Sequence, residues 1–534
     1  MFIKITKSGQ YEYAYLVRSY REDNNTKHEY LFNLGRVDQI KNNPSFQNLA
    51  KRLLELSQAK DMVSLDNFSE AQIVNWGYMV YQKIWEEFEL DKILNKLSSR
   101  KTQFNLNEAS FLMAIQHLLE PKSKLSTYTH QNRYLGLPEI KLQHLYRSLD
   151  LLSESKEVLE EKIFFKNRNL FNMQVDVVFY DVTTFSFESV RKDSLRDFGF
   201  SKDAKFKEVQ VVMGLLIDRE GRPIGYDLFP GNTFEGKTLE VALSKLEKRF
   251  GIRKVIIVAD KGINSKINLK KITDRGYDYI LASRIKNLKK DIRQKIFKDD
   301  YQERGEISYK VISYINKIKE ANQIYELPEE LIITYSPQRA QKDRADRERL
   351  IKKARSLLQN KSYINASNKR GGKKYLKSSR EVNWVLDEEA IKKDEMFDGY
   401  YAIQTSEKNL KPQDILAAYH HLWKIEESFR LMKTTLEVRP VFHWTEPRIK
   451  GHFVICFLAF LLERTLESKL KRAHLAATPP QIREVLNSMN FAEVKIKQKE
   501  FLIKTKFESL GNKILRLLRI KPPQNVTPTS ELSL

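Results

Sequence analysis

Residues 173–188 read MQVDVVFYDVTTFSFE. The stretch is rich in Val, Phe, Tyr and Thr and holds no Gly or Pro, which predicts a long central strand. Val175, Val177, Phe179 and Asp181 share one parity, so the Asp181 carboxylate emerges on the face that carries an apolar row. An unpaired charge on such a face is costly. Read alone, Asp181 is a residue that ends a strand or caps a turn. Partners gathered from elsewhere in the chain would give it a different role.

Downstream, KEVQVVMGLLID (207–218) and RPIGYDLFPGN (222–232) flank a turn at Asp218–Gly221 and read as a hairpin. GKTLEVALSKLEKRF (236–250) reads as a helix. RKVIIVAD (253–260) is nearly all apolar, the pattern of a strand buried on both faces. A helix near 265–275 and the strand YDYILAS (277–283) follow. The order β-β-β-α-β-α-β describes an antiparallel meander followed by right-handed crossovers. Asp260 ends its strand, ahead of Lys261 and Gly262. A carboxylate there points into the crevice where α/β proteins place their sites. If this strand pairs in parallel with that of Asp181, two carboxylates become neighbours. They repel unless a cation joins them, and oxygen ligands suit Mg²⁺ or Mn²⁺. Alone, Asp260 serves equally well as the N-cap of the next helix.

A third acid is expected from a later helix. KPQDILAAYHHLWKIEESFRLMKTTLE (411–437) predicts one long helix ended near Arg439-Pro440. Tyr419, Glu426 and Lys433 recur every seven residues and so share a face, with Arg430 one turn beyond Glu426. Glu427 points roughly 100° away. The bland alternative for this face is a solvated salt-bridge stripe.

The chain has 534 residues, enough for roughly two to four domains. Its 93 Lys and Arg outnumber 69 Asp and Glu, a formal net charge of +24. Such an excess calls for a polyanion, nucleic acid first and an anionic membrane surface second, unless the whole proteome is Lys-rich. Residues 284–380 carry 26 Lys or Arg against 12 Asp or Glu, more than half of that net charge. The single cysteine, Cys456, excludes a disulfide framework and a Cys-rich zinc site. His443 and His452 have no spaced His/Cys set beside them, which favours packing or phosphate contact. The N-terminus lacks a signal-peptide core, and the longest apolar run, 453–462, falls short of the about 20 residues that span a bilayer. A cytoplasmic protein is expected, with no membrane partner.

The pattern divides the chain into a small β-rich region (1–44, with turns at Gly9-Gln10 and Asn24-Asn25), a helical block (45–170), and an α/β segment (171–283). A basic β-rich insertion (284–405), further helices carrying Glu426 (406–475) and a C-terminal region (476–534) follow. Pro522 to Leu534 reads as frayed. The helical block suits either DNA binding or a plain bundle, since no spacing in it marks a helix-turn-helix.

With Phe179-Tyr180-Asp181-Val182-Thr183-Thr184, Val258-Ala259-Asp260-Lys261-Gly262 and Tyr419…Glu426…Lys433, residues 173–460 resemble the DDE transposases of bacterial insertion sequences. They look most like the cut-and-paste group with a Tyr-Arg-Glu-Lys signature. The resemblance implies an RNase H-like five-stranded mixed sheet flanked by helices and interrupted by a β-rich insertion. It implies that Asp181, Asp260 and Glu426 are catalytic and hold two Mg²⁺ (or Mn²⁺) ions about 3.5–4 Å apart. Terminal inverted repeats would be cut and the 3′-OH ends joined to target DNA, by a dimer that brings two ends together at the bacterial nucleoid. Tyr419 and Lys433 would contact DNA beside the cut, with Lys261 where many relatives carry Arg. The signature Arg is Leu422 here, and Arg430 offers a charge from the other side of Glu426. Relatives often form a hairpin with a flipped base. Trp384, in a predicted strand of the insertion, would stack on such a base or else pack in the insertion's own core. A nuclease without joining activity and a non-catalytic DNA-binding remnant are the alternatives.

Overall fold

The computed structural model describes residues 1–22, 25–57, 71–98, 103–171, 177–199, 207–252, 255–304, 307–320, 323–359, 364, 371–379, 383–496 and 499–531. The expected turn at Asn24, the first residues of the 173–188 stretch and Lys369–Arg370 lie outside them. The chain forms two compact units. One joins residues 1–72 to the segments beginning at Glu493 and Val526, and the other holds most of the remainder.

In the first unit, β1 (Phe2–Ser8), β2 (Tyr11–Glu22) and β3 (Asn25–Arg36) form the expected antiparallel meander. The C-terminal region also contributes strands. After β4 (Gln72–Asn75) early in the chain, β16 (Asn490–Ile496) and β17 (Lys499–Lys504) precede β18 (Val526–Pro528), with the strands between introduced below. Phe501 pairs with Pro528 and Ile503 with Val526. The expectation of a frayed end after Pro522 is therefore corrected, because these backbone groups find ladder partners.

The second unit is built on β5 (Val177–Ser186). Val178, Tyr180 and Val182 face a core shared with Leu239, Leu243 and Leu246 of the helix Glu235–Lys248. The Tyr180 hydroxyl donates to Thr238 Oγ1 at 2.7 Å. The odd-numbered residues face the other way, where the Phe185 ring lies 5.3 Å from that of Phe453. Burying one such side chain contributes about 1.5–3 kcal/mol. Phe453 belongs to the helix Glu446–Arg472, which is buried over most of its length. It approaches the helix Leu142–Phe171 so closely that a Cβ on Gly451 would lie 2.0 Å from the Leu149 carbonyl oxygen. Among the described residues no helix is long and apolar enough to cross a membrane.

β6 (Gln210–Asp218) and β7 (Pro223–Pro230) extend the sheet on one side of β5 as the expected hairpin. On the other side come β8 (Ile256–Ala259) and β9 (Asp278–Ala282), both parallel. The sheet does not stop at these five strands. β10 (Gln302–Arg304), β11 (Ile307–Glu320), β12 (Gln323–Tyr335) and β15 (Tyr400–Thr405) join it, in the order β10-β11-β12-β15-β9-β8-β5-β6-β7. The expected five-stranded sheet is corrected to nine, because Ile403 of β15 pairs with Ala282 of β9 and closes that edge. Among the described residues of the insertion, β13 (Leu376–Ser379) and β14 (Asn383–Leu386) form a separate two-stranded sheet.

Candidate active site

Val177 lies opposite Ile256 and Phe179 opposite Val258. Asp181 stands two residues beyond this last pair on β5, and Asp260 two residues beyond it on the other chain segment, just after β8 ends at Ala259. Nine of the ten residues of β5 are buried, and Asp181 is the half-exposed one. Asp260 is exposed just past the end of β8. Gly262 lies against the Glu235 carboxylate, whose Oε2 would be 2.6 Å from a Cβ at that position.

The helix Trp423–Arg430 packs against β5 and carries Glu426 on an exposed position. A cavity of about 720 Å³ is walled by both Asp260 and Glu426, with Tyr401, Tyr419, Leu422 and Trp423 around them. Tyr401 donates its hydroxyl hydrogen to Tyr419 at 2.6 Å. Burial pushes the Tyr419 phenol up, and Tyr401 and the charges of Asp260 and Glu426 add to the shift. Tyr401 is also raised, by burial first and by Asp260. Both phenols therefore stay protonated hydrogen-bond donors near neutral pH.

The single helix expected over 411–437 is corrected. The helix Pro412–His420 is followed by a tightened turn, in which Leu422 N–H donates to Tyr419 O at 3.0 Å and Ile425 N–H to Leu422 O at 3.1 Å. After Arg430 the winding loosens into a π-helical turn, Leu431–Thr435, with Leu436 N–H bonded to Leu431 O at 2.9 Å. No Gly or Pro in 413–438 marks these changes. Each residue of a π turn rotates less than the 100° of an α-helix, so the seven-residue phase drifts. Tyr419 and Glu426 still reach one cavity. Lys433 is turned toward β5, its Nζ 5.7 Å from the Phe185 ring centroid.

Neither Lys433 nor Arg430, which is exposed, is among the described residues that wall this cavity. Lys261 lines a second cavity, of about 430 Å³, that shares Asp260, Arg339 and Tyr401 with the first. Trp384 sits on the β13–β14 hairpin and packs against the cluster of Ala354, Ile364 and Tyr375, with Lys373 Nζ 5.2 Å from its ring. It walls neither cavity. Three residues here carried no role in the sequence reading: Tyr401, Arg339 and Trp423. Trp423 stands 47% exposed on the cavity, a level that marks an aromatic not used for packing. Its place beside Glu426 in the helical register was the signal for it. Tyr401 and Arg339 arrive from the insertion, and sequence spacing alone carries no trace of that approach.

The structure also brings together residues that the sequence reading kept apart. His117, His452 and Cys456 have ligand atoms within 4.8 Å of one another, all buried. Both imidazoles already bond backbone carbonyls, His117 Nδ1 to Leu436 O at 3.0 Å and His452 Nε2 to Val438 O at 2.9 Å. Lys124 Nζ lies 3.1 Å from His117 Nε2. An ammonium at that point opposes a second cation, so the donor set suits packing better than metal binding.

Residues 174–462 match the family model of the transposase DDE domain, and residues 3–64 that of the IS1634 family transposase N-terminal domain. No curated protein matches the chain. Among solved structures, the piggyBac transposase synaptic complex with hairpin DNA is similar over 79% of this chain and 82% of that one, at 8% identity and a TM-score of 0.38.

Proposed function

This chain belongs to the DDE transposases, phosphoryl-transfer enzymes of DNA transposition that use divalent metal ions, and from that premise we propose that Asp181, Asp260 and Glu426 form its catalytic centre. The reading assigns the chain to the cut-and-paste group with the Tyr-Arg-Glu-Lys signature and the β7-β6-β5-β8-β9 strands to an RNase H-like core. The observation that carries it is the cavity walled by Asp260 and Glu426, with Asp181 on β5, the strand that pairs in parallel with β8 just before Asp260.

The donor set fits Mg²⁺ or Mn²⁺. It consists of carboxylate oxygens on solvent-accessible positions, hard donors that suit these ions, and the His420 imidazole in the same cavity wall is not part of it. When bound, a pair of such ions supplies Lewis-acid stabilisation of the attacking and leaving oxygens. The protein's own contribution is positional. β5 and β8 hold two carboxylates at a fixed spacing, and the packed helix Trp423–Arg430 brings the third. Tyr419, whose hydroxyl oxygen accepts from Tyr401, donates its own hydrogen into the cavity, toward a phosphate oxygen of the strand being cut. Trp423 offers a face on which an unpaired base stacks, a role its exposure suits better than that of Trp384. Lys261, Arg430 and Lys433 hold flanking phosphates.

The substrate is duplex DNA bearing the terminal inverted repeats, and the product joins the 3′-OH ends to target DNA. A homodimer holds the two ends, and the action lies at the bacterial nucleoid. Residues 45–170 and the basic insertion 284–405 grip the ends. The test uses DNA carrying the inverted repeats that flank the gene, with Mg²⁺. Cleavage followed by joined products is expected. Cleavage without joining would leave a nuclease, and no cleavage a DNA-binding remnant.

A further inference from the structure

Leu422 occupies the position where the Tyr-Arg-Glu-Lys signature carries its guanidinium, so that charge must come from elsewhere or be missing. Leu422 is 8% exposed and forms part of the cavity wall between Tyr419 and Glu426. Arg430 is not at that wall. Among the described residues that wall the cavity of Asp260 and Glu426, Arg339 is the one guanidinium or ammonium.

Arg339 opens the helix Pro337–Gln359, which follows β12 directly. β12 pairs with β15, Tyr335 opposite Tyr400 and Thr334 opposite Tyr401. That antiparallel ladder brings the start of the helix beside the first residues of β15. The Arg339 guanidinium lies over the Tyr401 ring, 4.5 Å from its centroid. Tyr401 in turn donates to Tyr419. Arg339 also walls the second cavity with Asp260 and Lys261, so it stands on the partition between the two. Its nearest carboxylate, Asp343 one turn on, is 3.6 Å from Nε, too long for a bidentate pair, and the side chain keeps 46% of its exposure. A planar guanidinium stacked on a ring is held in orientation while its edge remains available to an anion.

Resting on the assignment of Asp181, Asp260 and Glu426 above, we infer that Arg339 of the insertion binds the DNA backbone phosphate next to the scissile bond, in the place of the signature arginine that Leu422 displaces. The bland alternative is a surface arginine that only pairs with Asp343. The two differ in what a neutral phosphate does to them.

The experiment measures single-turnover cleavage of end DNA in Mg²⁺ with methylphosphonates placed singly around the cut. Arg339→Ala should slow cleavage about tenfold or more on ordinary DNA. At one methylphosphonate position the wild type should slow equally, and there Arg339→Ala should add no further loss. Asp343→Ala should cleave like wild type, and Leu422→Arg in the Arg339→Ala background should recover part of the rate. Wild-type cleavage by Arg339→Ala, a loss that adds in full at every methylphosphonate position, or the same loss in Asp343→Ala would overturn the inference. Asp260→Asn is the control for the reading beneath it. If Asp260→Asn cleaves normally, that reading has failed. If it is inactive while Arg339→Ala is not, only the inference about Arg339 has failed.

Discussion

Two sets of side chains in the larger unit carry metal-binding groups, the three acids of the proposed site and a histidine–cysteine cluster, and they differ in nearly every physical respect. Asp181, Asp260 and Glu426 are half-exposed or exposed, two of them wall an open cavity, and all are acidic. His117, His452 and Cys456 are buried, two of them are bonded to backbone carbonyls, and they sit beside the buried ammonium of Lys124. Burial lowers His117 and His452 well below the ordinary histidine value, with Lys124 adding to the effect. The lesson is that proximity of ligand atoms does not make a metal site. Net charge, free lone pairs and access decide it.

The comparison breaks most visibly at the acids. Asp181→Asn or Asp260→Asn should reduce Mg²⁺-dependent cleavage by roughly a thousandfold while end-DNA binding in a gel shift stays nearly unchanged. Near-normal cleavage would dissolve the contrast. At the other cluster, His452→Ala should cost about 2–4 kcal/mol in denaturant unfolding yet leave cleavage per folded molecule intact. A rise in Tm on adding stoichiometric Zn²⁺ to wild type would show that this cluster is a metal site after all.

Acid sharpens the same contrast. An unfolded histidine titrates near 6.5, whereas burial lowers His443 to about 3. Between those values the unfolded chain binds a proton that the folded chain does not. Stability should therefore fall as pH drops below about 6.5, by up to about 1.4 kcal/mol per unit for each such residue. His443→Leu should flatten the slope measured by denaturant titration from pH 7.5 to 5. The smallest effect is at Lys124, lowered from 10.5 to about 8 by burial. Below pH 8 its ammonium is buried at full cost, and the cost is relieved as pH rises toward 10.5. Lys124→Met should stabilise by about 1–2 kcal/mol at pH 7 and by less at pH 10.

Much of the acidic site was legible because strand parity and an apolar flank are local properties. VVFYDVTTFS and VIIVAD declare buried strands, and a carboxylate in each is conspicuous. The helix carrying Glu426 was legible as a helix. Its tightened turn and π turn were not, since no Gly or Pro announces them and tertiary packing sets the winding. The nine-stranded sheet escaped for a different reason. The insertion 284–405 reads as β-rich, but which free edge its strands join depends on β15 returning to β9 some 120 residues later in the chain. Cys456 stands one turn from His452 on the helix Glu446–Arg472, whereas His117 comes from the distant helix Leu106–Leu119 and meets them only through tertiary packing.

The return of β15 to β9 has a mechanical meaning. The strand that leads out of the insertion is laced to the strand beside that of Asp260, so the basic lobe has no hinge at its root. If the lobe grips DNA as proposed, a pull on that DNA is passed through two hydrogen-bonded ladders to β8, the strand that ends at Asp260, like the fixed jaw of a caliper.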